Sequence, residues 1–224
     1  VKATNDAGTT GTADGSTLAG LKLVVKERVA PVITIVSPAS GAYVSNNKQP
    51  VVFTVVDEAG GSGVDLTTLV VKQDGTAAAS STIKTTAITN GYSVTYTPDA
   101  ALSDGSHTVT IAVSDHDGNA AEEKSTTYKL DTVPPTLNVT SPTDNLVTAT
   151  AALTVAGTTN DATSSPVTIA VKLNGTDQGA VTVAANGSFS KQVTLAEGTN
   201  TIVVTSTDAA GQVTSITRTV KLDT

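Results

Sequence analysis

Apolar residues recur at every second position in many short stretches of this chain. Ile33 and Ile35 stand two apart in the segment 31–38, as do Leu137 and Val139 in 135–142, and Val109 and Ile111 further along. A period of two places such residues on one face of an extended strand, so each stretch predicts a half-buried β-strand. About seven such signals fall at residues 32–37, 51–56, 69–73, 83–88, 92–97, 107–114 and 125–130. About seven more fall at 136–141, 152–157, 168–173, 180–184, 188–194, 200–207 and 215–222. Turn signals separate them, among them Asn90-Gly91, Asn174-Gly175 and Asn186-Gly187. No stretch sustains the 3.6-residue period of a helix.

The two sets are copies. Pro31-Val32-Ile33-Thr34-Ile35-Val36-Ser37-Pro38 recurs as Pro135-Thr136-Leu137-Asn138-Val139-Thr140-Ser141-Pro142. The block 109–118 recurs as 202–211, and Lys129-Leu130-Asp131-Thr132 as Lys221-Leu222-Asp223-Thr224. Residues 1–8 align with 111–118, and Glu27 takes the place of Asp131 relative to the proline that follows. Residues 1–28 therefore read as the closing strands of a preceding unit, or as a strand segment donated to a neighbour. Residues 29–132 and 133–224 read as two complete units. Seven short strands in about 100 residues imply a Greek-key β-sandwich, so the fold class is all-β, with sandwiches in tandem.

Composition supports thin aliphatic cores. Aromatic residues make up 3% of the chain and Trp is absent, so Val, Ile and Leu carry the packing. A net charge of −7 argues against nucleic acid, which needs a basic face, and against docking on anionic lipid. No apolar run reaches the length of a membrane span, so no membrane insertion is expected. With no Cys, neither a disulfide nor a thiolate metal site can form.

Several stretches carry a family resemblance: Asp57-Glu58-Ala59-Gly60-Gly61-Ser62-Gly63-Val64-Asp65, Leu102-Ser103-Asp104-Gly105-Ser106-His107, Asp131-Thr132-Val133-Pro134-Pro135-Thr136 and Gly198-Thr199-Asn200-Thr201-Ile202-Val203-Val204. They resemble the bacterial immunoglobulin-like repeats of large surface adhesins and of multidomain secreted proteins. The resemblance implies immunoglobulin-like sandwiches and an extracellular, cell-surface setting. It implies a spacer, an adhesin or an enzyme accessory module, with neighbouring repeats or identical subunits as partners. Antibody domains differ in their Cys pair and core Trp, both missing here.

One constellation carries chemistry. In such a sandwich the linker from the preceding unit meets the loops after the second and sixth strands. At the first junction this gathers Glu27, Asp57, Glu58, Asp65, Asp115, Asp117 and Asn119. At the second it gathers Asp131, Asn160, Asp161 and Asp208. Clustered carboxylates repel, and a cation reverses the sign. Ca²⁺ accepts six to eight oxygens in irregular loops. Calcium is the expected cofactor at the first junction. The second has fewer carboxylates, and weaker binding or none is expected there.

Catalytic readings fare worse. His107 shares the inward face with Val109 and Ile111 and reads as structural, and His116 lies in a loop. Two His and no Cys disfavour zinc. Gly61-Ser62-Gly63 is a loop, and no nucleophile elbow occurs. A glycosidase cleft lined with aromatic rings is not available from four Tyr. Lys72 and Lys172 occupy outward strand positions and discourage edge pairing. Polymerisation through a donated segment 1–28, with an apolar face of Val1, Ala3, Leu21, Leu23 and Val25, is the competing assembly reading.

Overall fold

The computed structural model describes residues 2–4, 10–12 and 26–224. Among these, strands β1 (Lys2–Thr4) and β2 (Thr10–Thr12) pair antiparallel. The apolar face expected on 1–28 lies outside the described residues.

The first full unit comprises β3 (Val32–Ser37), β4 (Tyr43–Val44), β5 (Val51–Val56), β6 (Val64–Gln73), β7 (Thr76–Ala77), β8 (Ile83–Ile88), β9 (Gly91–Tyr96), β10 (Gly105–Asp115) and β11 (Lys124–Leu130). The second comprises β12 (Thr136–Ser141), β13 (Leu146–Thr148), β14 (Ala152–Asn160), β15 (Thr168–Leu173), β16 (Thr176–Asp177), β17 (Ser188–Thr194), β18 (Gly198–Thr207) and β19 (Val213–Leu222). In the first unit the sheet β3-β5-β9-β8 faces the sheet β4-β11-β10-β6-β7. In the second, β12-β14-β17 faces β13-β19-β18-β15-β16. The only helical element among the described residues is the single 3₁₀ turn Ser80–Thr82. No helix is long and apolar enough to cross a membrane.

Alternation produces the cores directly. Val51, Phe53 and Val55 of β5 are buried against Val109, Ile111 and Val113 of β10. In the second unit Val155 packs with Val171, Ile202, Val204 and Val220. The two cores are separate clusters. Phe189 fills the second core because Gly157 opposite leaves room for its ring, which a Cβ there would approach to 2.7 Å. Lys72 and Lys172 face solvent.

In each unit the entering strand changes sheets. Residues 32–37 pair with β5, and then, past Pro38, Tyr43–Val44 pairs parallel with β11. β12 and β13 do the same against β14 and β19. β4 and β13 have no counterpart among the strands predicted from alternation, since two or three residues are too short to show a period. Alternation also predicts a strand at 180–184. Only the isolated bridge Val183↔Phe189 forms there, so that sheet has three strands. The tight turns Asp74-Gly75 and Asn174-Gly175 have positive φ at both positions, as two-residue hairpins require. At Asn90-Gly91 the turn lies one residue earlier. Gly91 belongs to β9, where a Cβ would meet the Val55 carbonyl oxygen at 2.0 Å.

All four Tyr lie in the first unit, so tyrosine signals report on it alone. Truncating the fully buried Phe53 to Ala is expected to destabilise that unit by about 3–5 kcal/mol. Near-ultraviolet circular dichroism should then melt earlier, while the far-ultraviolet transition of the second unit stays in place.

Candidate metal centres

At the first junction the segment before β3 runs past two loops, 57–63 between β5 and β6 and 115–120 after β10. Backbone hydrogen bonds fix it there. The Glu27 amide donates to Asp117 Oδ2 at 2.9 Å, and Asn119 Nδ2 donates to the Glu27 carbonyl at 3.2 Å. The Ser62 amide donates to Glu27 Oε1, and the Gly63 amide to Asp57 Oδ2 at 2.7 Å. One carboxylate oxygen each from Glu27, Asp57 and Glu58 lies within 4.8 Å of the other two.

Gly61 makes that convergence possible. A Cβ on it would stand 2.8 Å from both Asp57 Oδ2 and Glu27 Oε2. Asp57 is 4% exposed, and its Oδ1 is buried with no hydrogen-bond partner. Glu58 Oε2 also lacks one. The facing Glu27 carboxyl raises Glu58 to about 7, and Glu27 itself is lowered.

The other residues expected at this junction spend their oxygens locally. Asp65 Oδ1 accepts from the Thr67 amide and hydroxyl, which hold its carboxyl below the usual range. Asp115 takes Asn119 N on Oδ1 at 2.8 Å and Asn119 Nδ2 on Oδ2 at 2.6 Å. Burial raises Asp115, and these bonds outweigh it, for a net lowering. Asp117 is committed to the Glu27 amide. Asp65, Asp115 and Asp117 are not part of the three-carboxylate group, and Asn119 bridges Asp115 and the Glu27 carbonyl.

The second junction repeats the plan with aspartates only. One oxygen each from Asp131, Asp161 and Asp208 lies within 4.8 Å of the other two. Every Oδ1 is held by backbone. Val133 N donates to Asp131 at 3.0 Å, Thr163 N and Ser164 N donate to Asp161 at 2.8 Å, and Gln212 N donates to Asp208 at 2.8 Å. Those bonds fix the rotamers. Asp131 Oδ2 and Asp208 Oδ2 remain buried with no partner, in residues 0% and 6% exposed. Ser164, wholly buried on the Asp161 loop, also has an unpartnered hydroxyl. Sequence reasoning missed it, since one Ser among many carries no signal. Asn160 is exposed and stands outside the group; its backbone carbonyl accepts from Thr136 Oγ1.

Orphaned, deeply buried carboxylate oxygens are costly, and a hard cation satisfies them. Both donor sets are all oxygen, which suits Ca²⁺ or Mg²⁺ and disfavours zinc. His116 is exposed, 3.9 Å from Asp65, and belongs to neither group.

Residues 39–132 match the family model of the bacterial Ig-like domain, and residues 135–224 match that of glucodextranase domain B. No curated protein sequence matches the chain. Among solved structures, the fibronectin(III)-like modules of Clostridium thermocellum CbhA align at 17% identity with a TM-score of 0.56. That alignment covers 85% of this chain and 94% of theirs. An I-band fragment of titin aligns at 14% identity and a TM-score of 0.48, covering 86% of this chain and 66% of the fragment.

The raised value of Glu58 predicts a pH effect in chelator. A folded value for Glu58 raised from 4.5 to about 7 contributes stability below 4.5 that is lost as pH rises through about 7. The tyrosine-monitored melting temperature should fall between about pH 4.5 and 7, and Glu58→Gln should flatten that fall. The strand order, the separate aliphatic cores and the matched segment together identify residues 39–132 as a bacterial Ig-like domain in a tandem of immunoglobulin-like β-sandwiches.

Proposed function

We propose that this chain is a semi-rigid spacer segment of an extracellular bacterial surface protein, with Ca²⁺ at each junction holding a linker against the unit that follows it. The observation that carries the reading is the set of buried carboxylate oxygens without partners: Asp57 Oδ1, Asp131 Oδ2 and Asp208 Oδ2. Glu27, Asp57 and Glu58 would hold the first ion, and Asp131, Asp161 and Asp208 the second. Carbonyls, water and Ser164 are available to complete the shell. In each set one ligand comes from the linker and the others from the loops of the unit it enters. A cation therefore ties two segments that would otherwise repel. Pro134-Pro135 restricts the same linker through its fixed φ angles. No catalytic role is proposed. The partners are neighbouring repeats of the same protein.

Preorganisation favours the second junction. Its three Oδ1 atoms are already fixed by backbone amides, whereas Glu58 must release a proton at the first. Charge count alone suggested the opposite order.

A second reading rests on the glucodextranase domain B match over 135–224: an accessory module of a secreted polysaccharide-degrading enzyme. Glucan binding by the chain would favour it. The half-buried Tyr43, with Lys129 Nζ 5.0 Å from its ring centroid, offers little stacking surface.

Calorimetric titration of the metal-stripped chain with CaCl₂ is expected to show two binding events. Excess calcium at about 100 times the dissociation constant should stabilise the folded state by about 2.7 kcal/mol per site. Asp131→Asn with Asp208→Asn should abolish one event, and Gly61→Ala should weaken the other. No heat and no shift in melting temperature at millimolar calcium would end the calcium reading.

A further inference from the structure

The opposite end of each sandwich holds the segment that leaves it. In the first unit the turn before β10 presents Asp104, whose Oδ1 accepts from the Thr132 amide at 2.9 Å. Both its oxygens accept from the Thr132 hydroxyl, at 3.0 and 3.1 Å. In the second unit Glu197 takes the same role toward Thr224, accepting its hydroxyl on Oε2 at 2.8 Å. An acid on the turn thus clamps the first residue past the closing Leu-Asp pair in both units.

A residue three positions after the acid grips each turn. In the second unit it is Asn200. Its Nδ2 donates to the Ala196 carbonyl at 2.7 Å, and its Oδ1 accepts from Ala196 N at 3.0 Å and from Asn174 Nδ2 at 3.0 Å. In the first unit it is His107. Its Nε2 lies 2.7 Å from the Ser103 carbonyl oxygen, and its Nδ1 lies 2.7 Å from Asp74 Oδ2. Asp74 replaces Asn174 at the same positive-φ turn, and its Oδ1 accepts from Thr108 N as Asn174 Oδ1 does from Thr201 N. One unit therefore uses neutral amides where the other uses an imidazole and a carboxylate.

The geometry fixes the protonation. A carbonyl oxygen only accepts, so Nε2 carries a hydrogen, and an ionised carboxylate only accepts, so Nδ1 carries one too. The ring is an imidazolium. A neutral ring has a single N–H, and the stronger acceptor, Asp74, keeps it. The Nε2 lone pair would then face the Ser103 carbonyl, and the turn would lose its grip.

We propose that protonated His107 is a clasp that holds the 103–104 turn and, through Asp104, the exit segment at Thr132, and that the clasp opens when the ring loses its proton. Titratable groups around the ring are Asp74, Tyr128, whose ring centroid is 5.9 Å away, and Tyr96, close enough to feel the Asp74 charge. Gln73 Nε2 donates to Asp74 Oδ2. Burial lowers His107, and its bonds to Asp74 and Ser103 outweigh this, for a net rise above 6.5. Burial raises Asp74, and the bonds from His107 and Thr108 outweigh that, for a net lowering. His107 thus contributes stability that is complete below 6.5 and is lost as pH rises through its folded value. The Asp74 contribution is lost only when pH falls below the usual carboxylate range. The second unit, with Asn174 and Asn200, has no such dependence at this position.

The test is NMR on the full chain in chelator, which separates it from the calcium reading. Ring ¹⁵N shifts should show both His107 nitrogens protonated at pH 6. Hydrogen-exchange protection of the Thr132 amide, corrected for intrinsic rate, should fall at least about threefold as the ring titrates. Protection of the Ala196 amide, which Asn200 holds in the second unit, should stay level. The double variant Asp74→Asn with His107→Asn, which copies the second unit, should fold and remove the pH dependence at Thr132. A singly protonated ring at pH 6 would overturn the proposal. So would protection that follows pH equally in the double variant.

Discussion

A carboxylate oxygen taken out of water without a hydrogen-bond partner is costly, and each junction of this chain buries at least one. That constraint organises the surroundings. Backbone amides hold one oxygen of each aspartate at the second junction, and the second oxygen of Asp131 and of Asp208 is buried with no partner. Gly61 leaves the first group the space it needs. Residues that look like further ligands, Asp65, Asp115 and Asp117, instead accept local donors and shape the loops. The linker lies against the face of the next unit where this negative charge is concentrated.

Adjacent residues at the second junction hold in opposite directions. Asp131 belongs with Asp161 and Asp208 of the following unit, while Thr132 is bound by Asp104 of the preceding one. Val133 and the two prolines then lead into β12. A linker of this length has little freedom left once both neighbours hold it. The unequal chemistry of the two exit turns, imidazole and carboxylate in one and two amides in the other, shows one scaffold position filled by different side chains with the same backbone contacts.

Much of the fold was legible from the residues. Period-two alternation marked nearly every long strand, and duplicated Pro-bounded segments marked the units. The short strands Tyr43–Val44 and Leu146–Thr148 were invisible, since parallel pairing of two or three residues depends on a partner distant in sequence. The segment 180–184 has the composition of a strand. It makes one bridge only, while Lys191 Nζ donates to the Ala180 carbonyl across the gap. For the candidate site, the linker and loops expected to meet do bring three carboxylates together at each junction, but the number of carboxylates alone does not say which oxygens are free. Which oxygens are free depends on neighbours such as Thr67 and Asn119, whose hydroxyl and amide donors consume them. The role of Ser164 and the His107–Asp74 pair likewise depend on contacts between residues far apart in sequence.

The parallel pairing of the entering and closing strands has a mechanical consequence. Tyr43–Val44 lies beside Lys129–Leu130, and Leu146–Thr148 beside Val220–Leu222, so tension between entry and exit acts along these pairs in opposite senses. Their hydrogen bonds are then loaded together in shear instead of being peeled apart singly. The first patch spans two register pairs and the second three.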